Sequence, residues 1–280
     1  MKVLVVGAGT MGSLIALSLA EAKHSVILYD ISETALQKGF ATIDKTLEKM
    51  IQKSKITSVQ KLETMNHIYL TLSLAEAKHV DFVIEAASEK CEIKQAIFKE
   101  LDQTIQPNAI LSTNTSSLSI ADIAKDVKRI DKVCGVHFFN PANIMKLVEL
   151  IAPITTSVET ITVTKELISS LGKTAVVVKE SPGFVVNRIL IPMINEAIGL
   201  VSEQVASVSD IDQAMMLGAN HPIGPLALAD LIGNDIVLAI MNSLHQQLKH
   251  EKYAPHPYLI EMVEQNKLGR KTKQGFYTYE

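Results

Sequence analysis

Residues 2–12 read Lys-Val-Leu-Val-Val-Gly-Ala-Gly-Thr-Met-Gly, an apolar run that leads directly into a GxGxxG turn. The run predicts a buried strand, and the apolar residues from Ser13 to Ala20 predict the helix that follows. In this context Gly7 allows the tight turn, Gly9 lets the backbone approach a pyrophosphate, and Gly12 permits close helix–strand packing. The stretch therefore predicts a dinucleotide site at the helix N-terminus, in preference to an ordinary glycine-rich turn. The predicted binding residues are Gly7, Gly9, Thr10, Met11 and Gly12.

A carboxylate after the second predicted strand bears on which dinucleotide binds. The strand Ser25–Tyr29 is followed by Asp30, 18 positions after Gly12. This is close to the spacing at which a carboxylate binds the adenosine ribose hydroxyls. The extra phosphate of NADP, about 4 Å away, would be repelled by up to about 4 kcal/mol at an effective dielectric constant near 20. Asp30 therefore favours NAD over NADP, and the alternative is an aspartate in a solvated turn.

The first two thirds of the chain alternate short apolar runs with longer amphipathic stretches. This pattern is typical of strands joined by crossover helices in a parallel sheet, and Glu89–Leu101 predicts one such helix. Because Val, Ile and Leu dominate most runs with little alternation, we expect helices on both faces of the sheet. The predicted strands are Val3–Val6, Ser25–Tyr29, His67–Leu70, Phe82–Glu85, Ala109–Ser112, Val133–His137, Leu147–Ile151 and Thr174–Val178.

The pattern changes after the breaker Ser181-Pro182-Gly183. From Phe184 onward the apolar spacing is mostly helical and contains no convincing strand run. The sequence thus predicts an α/β fold with two domains. A Rossmann-type, doubly wound NAD-binding domain occupies residues 1–183, and a smaller all-α domain occupies residues 184–280.

Composition excludes several classes of protein. Of 280 residues, 47% are hydrophobic and 20% charged, which is ordinary for a globular chain. Lys and Arg total 27 against 30 Asp and Glu, so the net charge of −3 provides no broad basic surface for nucleic acid or an anionic membrane. No stretch approaches about 18 uninterrupted apolar residues, and we expect no membrane span. Cys91 and Cys134 form no CxxC pair, so we expect no disulfide, no metal site and a cytoplasmic location.

A histidine at the end of a predicted strand suggests chemistry. His137 begins the segment His-Phe-Phe-Asn-Pro, and Glu149 follows it twelve positions later. A lone histidine in such a place is more often structural than catalytic. A dehydrogenase that acts on an alcohol, however, needs a base for the hydroxyl proton, and a histidine poised by a carboxylate accepts it near neutral pH. The two residues therefore form a candidate acid–base pair.

Several further motifs occur in order along the chain. Besides the glycine turn they are Asn114-Thr-Ser-Ser117, His137-Phe-Phe-Asn-Pro141, Met145-Lys-Leu-Val-Glu149, Pro182-Gly-Phe-Val-Val-Asn-Arg188 and Gly224-Pro-Leu226. With these motifs the sequence resembles the L-3-hydroxyacyl-CoA dehydrogenase family essentially from end to end. In length and character it is most similar to the stand-alone bacterial members that act on 3-hydroxybutyryl-CoA.

The resemblance implies a reaction and a role for each matching residue. The family oxidises L-3-hydroxyacyl-CoA to 3-ketoacyl-CoA with NAD and also catalyses the reverse reduction. His137 is then the general base and Glu149 orients it, while Ser116 and Asn187 hold the 3-oxygen of the substrate. The implied cofactor contacts are Glu89, Lys94, Asn114, Ser116, Asn140 and Lys271, and the implied coenzyme A contacts are Thr46, Lys53 and Ser116.

Local composition leaves some of these roles open. Asn114 and Ser116 follow a predicted strand and could be turn or capping residues, and Lys94 could be an exposed helix cation. The segment Lys45–Lys61 has five lysines and one acid, which suits either coenzyme A phosphates or a solvated helix face. The basic tail, residues 267–273, folds back towards the cofactor by resemblance, whereas its composition also allows a disordered end.

The sequence is also compatible with two other functions, and it predicts an assembly state. A related dehydrogenase could oxidise a free hydroxy acid or sugar acid, and a non-enzymatic protein could simply bind NAD. The helical domain presents apolar faces at Ile189–Ile198 and Ile236–Leu244. A domain of about 95 residues does not readily bury such faces alone, so we expect a homodimer through this domain.

Overall fold

The computed structural model describes every residue from 1 to 280 and contains two compact units, Met1–Glu180 and Ser181–Glu280. Unit 1 has one eight-stranded sheet with helices packed on it. Unit 2 is helical and has no strand. The predicted fold class, a doubly wound α/β sheet with a smaller all-α part, is confirmed.

Short apolar runs predicted the strands well, because each predicted strand begins and ends within one residue of an observed one. The strands are β1 (Lys2–Val6), β2 (Ser25–Tyr29), β3 (Ile68–Thr71), β4 (Phe82–Glu85), β5 (Ile110–Thr113), β6 (Val133–Phe138), β7 (Leu147–Ala152) and β8 (Thr174–Lys179). The helices of unit 1 are α1 (Thr10–Glu21), α2 (Glu33–Gln52), α3 (Ser58–Asn66), α4 (Cys91–Thr104), α5 (Ile120–Ile123) and α6 (Val158–Ser170). Those of unit 2 are α7 (Val186–Ser202), α8 (Val208–Gly218), α9 (Pro225–Ile232), α10 (Asn234–Leu248) and α11 (Pro257–Glu264).

The strand order is β3-β2-β1-β4-β5-β6-β7-β8, so the chain winds outward in both directions from the centre. The direction of winding reverses between β1 and β4. Open α/β sheets bind ligands outside the carboxyl ends of the strands at this kind of switch point. The topology therefore predicts a ligand site at the carboxyl ends of β1, β4 and their neighbours.

The pair β6–β7 departs from the predicted parallel arrangement, since it is antiparallel whereas all other neighbouring strands are parallel. Eight residues, 139–146, join the two strands, and a parallel crossover needs about a dozen or more. The chain therefore turns back beside β6. In the resulting register His137 lies opposite Glu149, so the short link brings the candidate pair together.

The centre of the sheet is buried and its edges are partly exposed. Val3–Val5 of β1 have no exposed surface, and α1 buries every residue from Gly12 to Ala20. At the two edges, Tyr69 of β3 is 57% exposed and Val177 of β8 is 47% exposed. The predicted covering of both faces thus holds for the central strands. It fails at the two edges, where residues stay exposed although α3 contacts β3 and α6 contacts β8.

Unit 2 has its own apolar core, and this core uses part of the surface predicted for dimer contacts. Ile191 and Ile194 of α7 pack with Met241 of α10 inside the unit, whereas Ile189 and Ile236 stay 67% and 46% exposed.

No single helix of the protein is long and apolar enough to cross a membrane. The consecutive helices α9 and α10 reach the required length and composition only as a pair, and they are bent by 96°.

A buried aspartate anchors the C-terminal tail within unit 2. The carboxylate of Asp230 accepts hydrogen bonds from the N–H groups of Phe276 and Tyr277, at 3.0 and 2.9 Å. The hydroxyl of Tyr279 donates a further bond of 3.0 Å to the same carboxylate. Residues 267–273 lie in the ordered chain that leads to this anchor, so the alternative of a disordered basic end is wrong.

Three glycines shape the turn between β1 and α1. Gly7 has a φ of +100°, which residues with a side chain rarely adopt. A Cβ on Gly12 would stand 1.8 Å from the carbonyl oxygen of Gly7, so only glycine allows α1 to pack this closely. Gly9 has a φ of −70°, and no protein atom lies within 4 Å of the place where its Cβ would stand. The fold therefore requires glycine at positions 7 and 12 and does not require it at position 9.

Alanine substitutions at positions 9 and 12 test this distinction. Gly12→Ala is expected to lower the free energy of unfolding by about 1–3 kcal/mol, because the added methyl group overlaps a backbone oxygen. Gly9→Ala is expected to preserve it or raise it by up to about 1 kcal/mol, because alanine fits this backbone and restricts the unfolded chain. Urea unfolding of both variants beside the unsubstituted protein provides the measurement. Equal stability of the two variants would contradict the close packing at Gly12.

Candidate active site

The carboxyl ends of β1 and β2 present groups suited to phosphates and a ribose. Asp30 is fixed beside the glycine turn, because its Oδ2 accepts a 2.9 Å hydrogen bond from the N–H of Ala8 and its Oδ1 accepts one of 2.9 Å from Ser32. Helix α1 begins at Thr10 with no side-chain cap and no acid in its first turn, so its N-terminal N–H groups face an anion favourably. With the unobstructed side of Gly9, these groups fit the pyrophosphate and adenosine ribose of a dinucleotide.

A buried ion pair lies at the carboxyl end of β4. Glu85 has no exposed surface and Lys94 is 1% exposed. Lys94 Nζ donates to both carboxylate oxygens of Glu85, at 2.8 and 2.7 Å. The N–H of Ala87 and the hydroxyl of Thr113 donate one bond each, at 2.8 and 2.7 Å. Each oxygen of Glu85 thus accepts two hydrogen bonds. Lys94 is buried, so the alternative that it is an exposed helix cation is wrong.

Glu89 connects Lys94 to the turn that follows β5. Its Oε2 lies 3.5 Å from Lys94 Nζ, and its Oε1 accepts hydrogen bonds from the Thr115 hydroxyl at 2.6 Å and the Ser116 N–H at 2.8 Å. Burial raises the pKa of Glu89, but the hydrogen bond from Thr115 and the charge of Lys94 help to bring the pKa below its ordinary value. Glu89 is therefore ionised at neutral pH and holds the turn that carries Ser116.

Asn114 joins the same turn to the strand that carries His137. Its Oδ1 accepts a 2.9 Å hydrogen bond from the N–H of Phe138, the residue after His137. Its own N–H donates to the carbonyl oxygen of Glu85 at 2.7 Å. Asn114 thereby ties together the carboxyl ends of β4, β5 and β6. Asn140 is an exposed residue of the link that follows β6.

The predicted acid–base pair is in contact. His137 Nδ1 and Glu149 Oε2 are 2.8 Å apart, and the two residues are 6% and 1% exposed. The ring of Phe139 packs against the imidazole with 4.6 Å between ring centroids. An ionised carboxylate accepts a hydrogen bond only from a protonated Nδ1, which leaves the lone pair of the neutral imidazole on Nε2. The pair can therefore take up a proton at Nε2 while Glu149 stabilises the imidazolium.

Two of the three residues predicted to contact coenzyme A, Thr46 and Lys53, lie on and beside α2, whereas Ser116 follows β5. Thr46 is in the helix, where its hydroxyl donates to the carbonyl oxygen of Thr42 at 2.7 Å, and Lys53 is the exposed residue that follows the helix. Lys61 of α3 is different, because its side chain is only 15% exposed and forms ion pairs with two carboxylates of α2. Lys61 thus joins two helices, and the exposed lysines of the predicted basic segment are Lys45, Lys49, Lys53 and Lys55.

Two of the predicted site residues belong to unit 2. Asn187 is the second residue of α7 and is half-buried. Lys271 lies in the short 3-10 turn Arg270–Thr272, where its exposed ammonium pairs with Asp235. The structure thus gives each of them a defined place within unit 2, and their roles remain predictions.

Unit 1 contains three polar residues that the sequence analysis did not select, Glu85, Thr113 and Thr115. Glu85 and Thr113 each end an apolar strand and are fully buried. A charged residue that closes a run such as Phe-Val-Ile-Glu is a usable signal, since a buried carboxylate must have partners. Thr115 had no comparable signal, because a threonine after a strand is common in turns.

Comparison with known proteins extends over both units. Residues 2–181 match the family described as "3-hydroxyacyl-CoA dehydrogenase, NAD binding domain", and residues 183–279 match "3-hydroxyacyl-CoA dehydrogenase, C-terminal domain". The "3-hydroxybutyryl-CoA dehydrogenase" of Clostridioides difficile is 52% identical over 279 residues, which cover 100% of this chain and 99% of the relative. The "Probable 3-hydroxybutyryl-CoA dehydrogenase" of Bacillus subtilis (strain 168) is 46% identical over 279 residues, with 100% and 97% covered.

A solved structure shows the same agreement in three dimensions. The crystal structure of (S)-3-hydroxybutyryl-CoA dehydrogenase from Ralstonia eutropha superposes with a TM-score of 0.96 at 46% identity, covering 100% of this chain and 99% of that one. The glycine turn, Asp30 and the His137–Glu149 contact all lie in the part that matches the NAD-binding domain. The resemblance predicted from the motifs is confirmed, and the chain belongs to the 3-hydroxyacyl-CoA dehydrogenase family of NAD-dependent oxidoreductases.

Proposed function

We propose that the protein interconverts L-3-hydroxybutyryl-CoA and acetoacetyl-CoA, with NAD as its cofactor. The observation that carries this proposal is the buried 2.8 Å contact between His137 Nδ1 and Glu149 Oε2, in the sheet that also carries the dinucleotide turn. Support for the substrate comes from three similar proteins, at 46% to 52% identity, whose names contain 3-hydroxybutyryl-CoA. The acid–base pair supplies the proton transfer that such a reaction needs.

The residues proposed to hold the cofactor divide between its two ends. NAD supplies the acceptor for the hydride in oxidation and, in its reduced form, the donor for the reverse reaction. The glycine turn would hold the pyrophosphate at the N-terminus of α1, and Asp30 the adenosine ribose. The residues proposed for the nicotinamide end are Glu89, Asn114, Ser116, Asn140 and Lys271, with buried Lys94 behind Glu89.

His137 moves the proton of the substrate's C3 oxygen. In oxidation Nε2 removes the hydroxyl proton, and in reduction the protonated ring returns it to the ketone oxygen. Glu149 keeps the ring in one tautomer and stabilises the imidazolium that forms. Ser116 and Asn187 are proposed to hold the same oxygen by hydrogen bonds.

The coenzyme A portion is proposed to lie along α2. Thr46 and Lys53 are its proposed contacts, and the exposed lysines of this helix region provide positive charge for its phosphates. A free hydroxy acid carries no such group and would leave this local charge unused. The basic segment therefore favours the acyl-CoA substrate over the free-acid alternative.

The proposed assembly is a homodimer formed through unit 2, in the cytoplasm. Ile189, Leu231 and Ile236 are apolar and 67%, 52% and 46% exposed, so each would gain from burial in a subunit interface. Both cysteines of the chain are free thiols, which suits a reducing compartment.

Steady-state kinetics test the proposed reaction. Acetoacetyl-CoA is expected to oxidise NADH with kcat/KM at least about 100-fold above that of free acetoacetate, because binding energy from the remote coenzyme A lowers the barrier at C3. NADPH is expected to be at least about tenfold poorer than NADH, because Asp30 repels the added phosphate. Comparable rates with free acetoacetate would favour the free-acid alternative. No NADH oxidation with any acyl-CoA would favour the non-enzymatic one.

Substitution of the acid–base pair tests the mechanism. His137→Gln is expected to reduce kcat by about 10²- to 10⁴-fold, the usual contribution of a positioned acid–base group. Glu149→Gln is expected to reduce kcat as well, because the imidazolium loses its charged partner. NADH affinity, measured by fluorescence titration, should stay near that of the unsubstituted protein in both variants. A His137→Gln enzyme with near-normal turnover would rule out the assignment.

Sedimentation tests the dimer. The unsubstituted protein is expected to sediment at micromolar concentration with twice the 30.6 kDa mass of one chain. Ile189→Glu should shift it towards the monomer, because a carboxylate cannot be buried in an apolar interface without large cost. Ile154→Glu is the matched control, since Ile154 is fully exposed in unit 1. A monomeric unsubstituted protein would refute the proposal.

A further inference from the structure

Glu85 is a buried charge at the point where three strands meet. It lies opposite Val6 of β1 and Thr113 of β5 in the register of the sheet. Its carboxylate is fully buried and accepts four hydrogen bonds, two of them from Lys94. Apolar residues of similar volume often stabilise a fold as well as a buried ion pair does. The gain in stability alone therefore does not explain why an ion pair is buried at this position.

The partners of Glu85 lead directly to the proposed active site. Lys94 Nζ is 2.7 Å from Glu85 Oε2 and 3.5 Å from Glu89 Oε2, so one buried ammonium lies between two carboxylates. The other oxygen of Glu89 accepts bonds from the Thr115 hydroxyl and from the N–H and hydroxyl of Ser116, the last at 3.3 Å. A continuous set of charge-assisted contacts thus runs from β4 to Ser116.

Lys94 connects Glu85 to Glu89, and Glu85 holds the ammonium of Lys94 in place. Lys94 is 1% exposed and donates to both oxygens of Glu85, so it cannot leave the interior without breaking both bonds. Glu89, by contrast, has a side chain that is 43% exposed, and its place depends on what it contacts. Glu85 determines where the ammonium stands, and the ammonium in turn attracts the carboxylate of Glu89.

We propose that Glu85 is a positioning residue of the active site: through Lys94 it holds Glu89 against the Thr115–Ser116 turn and thereby sets the place of the Ser116 hydroxyl. The catalytic consequence rests on the proposed function, in which Ser116 holds the 3-oxygen of the substrate. Glu85 itself touches neither substrate nor cofactor in this arrangement. The hydroxyl of Thr113, 2.7 Å from Glu85 Oε2, keeps the carboxylate in its orientation.

The main test replaces the charge and keeps the shape. In Glu85→Gln the amide loses the charge that holds Lys94, and Glu89 becomes the only carboxylate near the ammonium. The kcat for acetoacetyl-CoA reduction is expected to fall about tenfold to a hundredfold, the range found when an outer-shell partner or about 1 Å of alignment is lost. Glu92→Gln is the matched control, because Glu92 is an exposed acid in the first turn of α4. Its kcat should be normal.

A double-mutant cycle with Ser116→Ala distinguishes positioning from general loosening. If Glu85 acts through Ser116, Glu85→Gln should cost less than about threefold once the Ser116 hydroxyl is gone. The same loss in both backgrounds, or normal kcat in Glu85→Gln, would overturn the proposal. If Glu85→Gln does not fold, Thr113→Val removes one hydrogen bond and leaves the ion pair. Its smaller loss of kcat should likewise vanish in the Ser116→Ala background, and a loss that persists there would overturn the proposal.

Amide hydrogen exchange supplies a measurement that does not depend on turnover. Residues 115–118 should exchange faster in Glu85→Gln than in the unsubstituted protein, because the N–H of Ser116 is bonded to Glu89. Exchange in α6 should be unchanged, whereas faster exchange in both places would indicate a structural role only. An unsubstituted protein that fails to reduce acetoacetyl-CoA would refute the proposed function, and exchange at residues 115–118 would still decide whether Glu85 orders the turn.

Discussion

The close approach of Gly12 to the carbonyl oxygen of Gly7 is the constraint on which the rest of unit 1 depends. Because neither residue has a side chain, α1 lies directly against β1, beside the place where the winding of the sheet reverses. The same approach directs the N-terminus of α1 to the carboxyl edge, where the N–H of Ala8 holds Asp30. Helix packing, the phosphate site and the ribose site thus follow from one backbone contact.

Two buried side chains of β6, Cys134 and His137, have different partners. Burial raises the pKa of the Cys134 thiol to about 12, and a hydrogen bond with Thr164 offsets this only in part, so Cys134 stays a neutral core residue. Three residues later on the same strand, His137 faces the carboxylate of Glu149 across the antiparallel register. The register thus supplies a carboxylate partner to His137, whereas the partner of Cys134 is a hydroxyl.

Buried carboxylates organise unit 2 as well, although they are placed differently. Asp212 accepts hydrogen bonds from the N–H groups of Leu226 and Ala227, which otherwise have no partner at the start of α9. Gly224 makes room for it, since a Cβ there would stand 2.2 Å from the Asp212 side chain. Asp230 then anchors the tail that follows Lys271. The Gly-Pro-Leu motif thus has a structural reason within its own unit.

The sequence by itself determined the strands, the family, the glycine turn and the candidate pair His137 and Glu149, because these signals are local or lie in a fixed order. Only the tertiary structure decided the rest. Because β7 runs antiparallel to β6, Glu149 lies opposite His137. The residue pattern of the two strands does not indicate whether they pair in parallel or antiparallel. A lysine in a helix is usually exposed, and the sequence gives no sign that Lys94 is buried. Only the fold brings Lys94 against Glu85. A buried charge is recognised by the partners around it, and partners from different elements meet only after the chain has folded.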